Sequence, residues 1–419
     1  MIIPRVRGLA GRLDAGQRRA VREAWRALWL SRVLVWGAGI FAFLKLGGAS
    51  LASVPAVGQS SSFGLTLLTR PAVAFDSAAY LRIASDGYSY LDLTAFYPLY
   101  PVLVRGAGTI VRSDVFAGIG LSIAAFAVAL YLLHRLVELE LGEAPARATV
   151  LLTAFFPTAL FFSAVYTEGL FLALSVGAIY SARRGWWARA ALLGLLASAT
   201  RNTGVLLLIP LVVMYLQEPR ENRPPGPRVR PDIAWLALVP LGLVGYFAYL
   251  HFHIGDAFAS LHATSAIWGR ETEPLAGLWQ GAEAAGRSLA QIAFPGSDSL
   301  PTDTYERMGD LSNPLTLAQV NLLDFAFLAF AIVACVGALR RLPLAYGLYA
   351  AAGIAVPLSA PAPYEPLMSM PRYVAVLFPL HMWLALYLGD RRRLEPALLL
   401  MGALMALLTA EFVNYRWVA

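Results

Sequence analysis

The sequence predicts an all-α, polytopic membrane protein of about eleven transmembrane helices with two long outer loops. Three observations carry that prediction. Mean hydropathy is +0.61, and 58% of the 419 residues are hydrophobic while only 14% are charged, against about 25% charged in soluble domains. Apolar runs near the ~20 residues needed to cross a bilayer recur along the chain. The basic residues, all Arg except Lys45, fall in short segments between those runs, as the positive-inside rule requires.

Taken in order, helices are expected near 27–47, 115–135, 148–165, 169–182, 188–200, 203–217, 233–252, 316–338, 343–357, 373–389 and 396–413. The stretches 169–182, 188–200 and 203–217 are short for a full crossing and suit broken or partly submerged helices, which are tolerated where they line a protein cavity. Residues 1–26 form a basic segment with seven arginines. They hold no apolar run long enough for a signal-peptide core. Residues 27–419 make one transmembrane domain.

Placing the N-terminus in the cytoplasm puts a basic cluster in every inner segment. These are Arg135 with Arg147, then Arg183, Arg184 and Arg189, then Arg220, Arg223, Arg228 and Arg230, then Arg340 and Arg341, then Arg391 to Arg393. The net charge of +7 is therefore read as topology, not as a nucleic-acid stripe. The Pro/Arg-rich stretch 217–232 reads as a solvated cytoplasmic loop. A single cysteine, Cys335, excludes an intrachain disulfide and a multi-cysteine metal site. Arg-for-Lys and Ala-rich usage hints at a prokaryotic host with a GC-rich genome, for which the expected location is the bacterial inner membrane.

Two long segments, about 48–114 and 254–315, fall outside. Stretches 78–84 and 98–107 suit amphipathic helices on the bilayer surface, and Phe96-Tyr97-Pro98-Leu99-Tyr100-Pro101 has the aromatic character of an interfacial belt. No internal repeat is evident, so the pattern of many secondary transporters is missing.

Ionisable groups at membrane level are expensive and mark function. Asp76, Glu168, Arg201 and Arg372 stand out, because topology sends all four to outer helix ends or outer loops. Asp76 precedes a helix-like run and suits either a general base or an N-cap. Glu168 suits a sugar or Arg partner, or a first-turn acid favoured by the helix dipole. Arg201, followed by Asn202, and Arg372, followed by Tyr373, suit either phosphate recognition or snorkelling to headgroups. Asp324 and Glu411 are expected to pair inside the bundle, and His381 to be a satisfied bundle histidine. Asp86, Asp92 and Asp256 read as loop or turn residues. His251, His253 and His262 match no strong metal-ligand spacing. No phosphate loop and no dinucleotide fingerprint occur, so an activated substrate would reach the site through the membrane, as a lipid phosphate.

These residues also carry a family resemblance. The blocks are Phe75-Asp76-Ser77, Tyr80-Leu81-Arg82-Ile83-Ala84, Asp86-Gly87-Tyr88, Ala95-Phe96-Tyr97-Pro98-Leu99-Tyr100-Pro101, Phe155-Phe156-Pro157, Ser163 to Phe171, Thr200-Arg201-Asn202-Thr203-Gly204, and Pro371-Arg372-Tyr373 with Leu377-Phe378-Pro379. In this order they resemble the PIG-V type membrane mannosyltransferases, which add the second mannose in glycosylphosphatidylinositol assembly. One departure is Phe75, where the family usually has Trp; an aromatic is kept.

The resemblance implies a C-type glycosyltransferase architecture. It implies a polyprenyl-phosphate mannose donor, a glycolipid or glycan acceptor, and inverting transfer on the extracytoplasmic face. Asp76 would be the catalytic base. Charge and position, rather than the resemblance, make Glu168, Arg201, Asn202, Tyr80, Tyr97 and Tyr373 candidates to line the substrate site and Arg372 a candidate contact for the donor phosphate. No cofactor is required, although a divalent metal is compatible, and no metal ligand is assigned. Two alternatives remain at this stage: a non-catalytic transporter or flippase for a lipid-linked sugar, and a transferase of another sugar or to protein.

Overall fold

The computed structural model describes residues 14–46, 63–217, 229–295, 313–389 and 391–418. The basic residues 1–13, with Arg220, Arg223 and Arg228 and the outer-loop stretches 48–62 and 296–312, lie outside the described residues. Among the described residues the chain is helical throughout, with no strand.

In chain order the α-helices are α1 (Ala15–Leu46), α2 (Phe63–Thr69), α3 (Ser77–Asp86), α4 (Leu99–Val111), α5 (Asp114–Leu141), α6 (Glu143–Ala154), α7 (Glu168–Arg183), α8 (Trp187–Ser198) and α9 (Leu208–Gln217). They continue as α10 (Leu241–Ile254), α11 (Ala259–Trp268), α12 (Ala276–Ala293), α13 (Pro314–Arg341), α14 (Leu344–Leu358), α15 (Met370–Val376), α16 (Phe378–Leu388) and α17 (Arg391–Val413).

Four helices, α1, α5, α13 and α17, are long and apolar enough to cross a membrane. A fifth span results if Pro231–Leu238 and α10, bent by 44°, are one crossing. This makes the chain an integral membrane protein. It does not establish eleven full crossings, because several of the expected spans fold as short or broken pieces. Residues 203–217 become a 3-10 segment, Asn202–Leu207, followed by α9, and 373–389 becomes α15 and α16. The first helix begins at Ala15, so residues 15–26 belong to the same continuous helix as the expected first span.

Local signals explain the long spans. Ser113 caps α5 by accepting from the Phe116 amide, and Asp114 sits in the first turn, where the helix dipole favours an acid. Asn313 caps α13 ahead of Pro314. On α1 the buried stripe Ala20, Ala24, Ala27, Ser31, Val35 recurs at helical spacing. Its small side chains let α5 and α17 pack closely, as membrane helices require in the absence of a hydrophobic drive.

The core helix is α7, whose residues 168–179 are all buried, as expected for a helix apolar all round. It packs against α5 and α8. At Gly169 a Cβ would lie 2.8 Å from the Ser122 carbonyl oxygen on α5, so the start of α7 seats directly on that backbone.

The expected helix 148–165 stops at Ala154. Residues 156–166 run buried as a short 3-10 turn and irregular backbone. Pro157 cannot continue a helix, and the protein satisfies the freed groups. Arg32, buried on α1, donates to the Ala159 carbonyl at 2.8 Å and to the Ser163 hydroxyl at 2.6 Å. The Val165 amide donates to the Ala72 carbonyl at 2.9 Å. Irregular backbone at membrane depth survives only when buried in this way. It also brings residues 155–168 against the loop that carries Asp76.

Candidate functional site

The two ends of α5 differ chemically. Near its C-terminal end, Arg135 and Arg19 pair with Glu138, and Arg183 pairs with Glu140. Near its start, Ser122 meets the Tyr100 hydroxyl at 2.8 Å and donates to the Tyr166 carbonyl at 3.4 Å. From Ser122 to Glu140 the helix rises about 27 Å at 1.5 Å per residue, close to a hydrocarbon thickness. The candidate site lies at the Ser122 end.

Asp76 sits just before α3 in a helical backbone conformation, and its side chain makes no capping bond. Its Oδ2 instead accepts from Arg372 Nη1 at 2.7 Å. The turn that aims it is strained: Phe75 has φ of 50°, rare for a bulky residue. The Tyr166 hydroxyl ties the turn together, accepting from the Asp76 amide at 3.1 Å and donating to the Ala74 carbonyl at 3.2 Å.

Glu168, in the first turn of α7, is 0% exposed. Its Oε1 accepts from Arg372 Nε and from Arg201 Nη1, each at 2.8 Å, while Oε2 has no hydrogen-bond partner among the described residues. A buried carboxylate is tolerable only when so paired. Arg372 also stands over the Tyr166 ring at 4.7 Å, and Arg201 over the Tyr373 ring at 5.2 Å. The four residues picked out from topology therefore form one network, in which Arg372 bridges Asp76 to Glu168 and Arg201 holds Glu168 from the other side.

The network floors a cavity of about 600 Å³. Asp76, Arg201, Asn202, Arg372, Tyr373, Tyr80 and Tyr97 all line it. Glu168 does not; it lies behind the wall and fixes two arginines that do. Tyr80 packs edge-on against Phe96 and Tyr100, and Tyr97 against Tyr246. The Tyr97 hydroxyl is buried with no hydrogen-bond partner among the described residues. Asn202 Oδ1 accepts from the Thr203 amide at 2.8 Å, which turns the chain after Arg201.

Sequence reasoning missed Arg270, Trp268 and Trp417, which also line the cavity. Arg270 lies in the outer segment 254–315. A basic residue outside, against the positive-inside bias, was a signal of the kind that marked Arg201 and Arg372. Arg270 Nη2 donates to the Met368 carbonyl at 2.8 Å, and Nε has no hydrogen-bond partner among the described residues. Among the described residues no carboxylate forms an ion pair with it. The charged residues on the wall are thus one acid, Asp76, and three arginines, Arg201, Arg270 and Arg372. Arg201 and Arg372 are matched by Glu168 and Asp76, whereas Arg270 forms no ion pair among the described residues and interacts only at longer range with the buried Glu365 and Asp324 carboxyls.

Other expectations resolve simply. Asp324 is buried close enough to Glu365 to interact electrostatically, but neither of its oxygens has a hydrogen-bond partner among the described residues, so the expected pairing is not made. Glu411 meets Arg416 at 3.4 Å. His381 Nδ1 meets the Thr153 hydroxyl at 3.0 Å, but Nε2 has no partner, so that histidine is only half satisfied. His253 Nδ1 lies 3.2 Å from the Tyr249 carbonyl oxygen, and His262 Nδ1 2.7 Å from Asp256 Oδ2. No group of three or more His, Cys, Asp or Glu able to hold a metal occurs among the described residues.

Comparison with known proteins adds three findings. The family described as mannosyltransferase (PIG-V) matches residues 51–218, which include Asp76, Glu168 and Arg201 but not Arg372. A GPI mannosyltransferase 2 from Drosophila melanogaster is 29% identical over 205 residues, 43% of this chain and 43% of that protein. The chain thus spans under half of that relative. Two crystal structures of an Archaeoglobus fulgidus oligosaccharyltransferase, one with Zn and sulfate and one tethered to an acceptor peptide, align at 12% identity. Their TM-scores are 0.39 and 0.40, over 92% and 93% of this chain and 53% and 56% of theirs.

Proposed function

We propose that this chain, whose sequence matches support the PIG-V type mannosyltransferase family, is a membrane glycosyltransferase that moves a mannosyl group from polyprenyl-phosphate mannose to a lipid or glycan hydroxyl on the extracytoplasmic face. The observation that carries this reading is the placement of Asp76. It is the acid on the wall of a membrane-level cavity otherwise charged by arginines. Arg372 holds its Oδ2, and no described residue donates to Oδ1.

The acceptor hydroxyl attacks the anomeric carbon, the bond from that carbon to the phosphate oxygen breaks, and Asp76 Oδ1 takes the hydroxyl proton. Direct displacement inverts the anomeric centre. The leaving group departs as a polyprenyl phosphate anion, so no strong general acid is needed. Arg270 is the phosphate contact in this reading, since no carboxylate among the described residues forms an ion pair with it. A guanidinium gives charge-assisted bonds to phosphate oxygens and stabilises the charge that grows there. Arg372, engaged with both Glu168 and Asp76, orients the base.

The test uses purified protein with radiolabelled polyprenyl-phosphate mannose and a total lipid extract, beside Asp76→Asn. Labelled glycolipid is expected from wild type. Turnover by Asp76→Asn is expected to fall roughly 10²–10⁴-fold, the usual worth of general base catalysis, at normal expression. Full turnover by the variant removes Asp76 from the mechanism. Movement of intact donor across reconstituted vesicles without a new glycosidic bond replaces the enzyme by a transporter. Mass analysis of the product identifies sugar and acceptor.

A further inference from the structure

Trp417 belongs to the segment after α17, yet it lines the same cavity as Asp76 and Arg372. That segment is fastened to the loop of Asp76. Arg70 Nε, just upstream of the loop, donates to the Val413 carbonyl at 2.8 Å, and its guanidinium stands 4.2 Å over the Tyr415 ring. Phe75 then inserts into an aromatic box formed by the end of α17 and the segment after it. Its ring centroid lies 5.8 Å from Phe412, 5.5 Å from Tyr415 and 5.4 Å from Trp417, with the Trp417 ring perpendicular at 89°. This box surrounds the residue with the strained backbone, one position before Asp76. A left-handed conformation at a bulky residue persists only where the surroundings over-determine it.

The far side of Trp417 reaches the other half of the site. Its indole N–H donates to Glu365 Oε1 at 3.0 Å. Glu365 is buried in the segment that leads into α15 and Arg372. One side chain therefore touches both strands of chain whose next charged residues, Asp76 and Arg372, form the ion pair at the cavity floor.

We propose that Trp417 is a positioning residue: it braces the Phe75 turn against the Glu365 segment, and so fixes Asp76 relative to Arg372 and the cavity. This rests on the reading of Asp76 as the base. Without the box, Phe75 is free to relax to negative φ. That rotation swings the Asp76 carboxylate off its line to the cavity while the helices stay packed.

The test compares Trp417→Ala and Trp417→Phe with wild type by two readouts. In the glycolipid assay, Trp417→Ala is expected to lower kcat up to about 100-fold, the cost of misplacing a catalytic group by about 1 Å, with donor KM within about twofold of wild type. Trp417→Phe, which keeps a ring in the box, recovers part of that loss. Amide hydrogen exchange needs no substrate. In Trp417→Ala the amides of residues 74–80 exchange faster, while those of α5 and α7 keep wild-type protection. Unchanged exchange over 74–80, faster exchange across the whole bundle, or a variant with wild-type kcat overturns the brace. If wild type forms no glycolipid from any donor, the proposed reaction fails, and the exchange readout still decides whether Trp417 sets the Asp76 loop.

Discussion

Arg372 on α15 donates to Asp76 at 2.7 Å, although 296 residues separate them in the chain, and the same guanidinium donates to Glu168 at 2.8 Å. One planar fork thus joins the loop after α2, the start of α7 and the start of α15. A lysine is a point charge and cannot hold two carboxylates in this geometry.

Arg372→Lys is therefore expected to keep a folded bundle but to lose most turnover, because Asp76 or Glu168 is released. Arg372→Met leaves Glu168, 0% exposed, with Arg201 as its remaining ion-pair partner. Removing one partner of a buried pair costs about 3–5 kcal/mol, so the unfolding midpoint in detergent should drop sharply. Equal turnover in wild type and Arg372→Lys would show that the fork does not set the base.

Arg270 makes a different prediction, because no described carboxylate pairs with it. Arg270→Ala should leave the unfolding midpoint near wild type and raise the donor KM roughly 10–100-fold, the range of a hydrogen bond to a charged group. Steady-state kinetics over donor concentration checks this. An unchanged donor KM takes the phosphate away from Arg270.

Stability should depend on pH through Glu365, which lies in the segment between α14 and α15. Burial pushes its carboxyl up to about 7, against the lowering effects of the Trp417 indole N–H, the Asp324 carboxyl and the Arg270 guanidinium. The folded chain therefore binds this proton more tightly than the unfolded chain, whose Glu titrates near ~4.3. The contribution is complete below that lower value and is lost as pH rises through about 7. The unfolding midpoint of wild type should fall across that window, and Glu365→Gln, which stays neutral, should flatten the fall. A parallel slope in the variant would assign the pH dependence to another group.

Much of the site was legible because membrane physics makes charge conspicuous. Asp76, Glu168, Arg201 and Arg372 were found by asking which ionisable residues fall at outer helix ends, and the structure joins all four. The N-cap reading of Asp76 failed because local spacing cannot show that a guanidinium 296 residues away holds the side chain instead. Glu168 was placed in the first turn of a helix, where it is, but its removal from the cavity wall depends on neighbours that no local pattern encodes. Arg270 carried the same outside-charge signal and went unread, because the segment 254–315 gave no clear helix against which to place it.

Composition and periodicity alone gave the chemistry available: an apolar bundle with few charges, Asp76 among the acids of the first outer loop, and arginines where the topology disfavours them. Those follow from composition and periodicity, since each residue pays its own solvation cost in the bilayer. Only the tertiary structure decided which charges neutralise one another and which remains to meet a ligand. It also decided that α6 stops at Ala154 and gives way to irregular backbone, and that Trp417, from the segment after α17, stands beside Asp76. Ion pairing and ring packing act between atoms a few ångströms apart, and the fold sets that nearness across segments whose order in the chain does not reveal it.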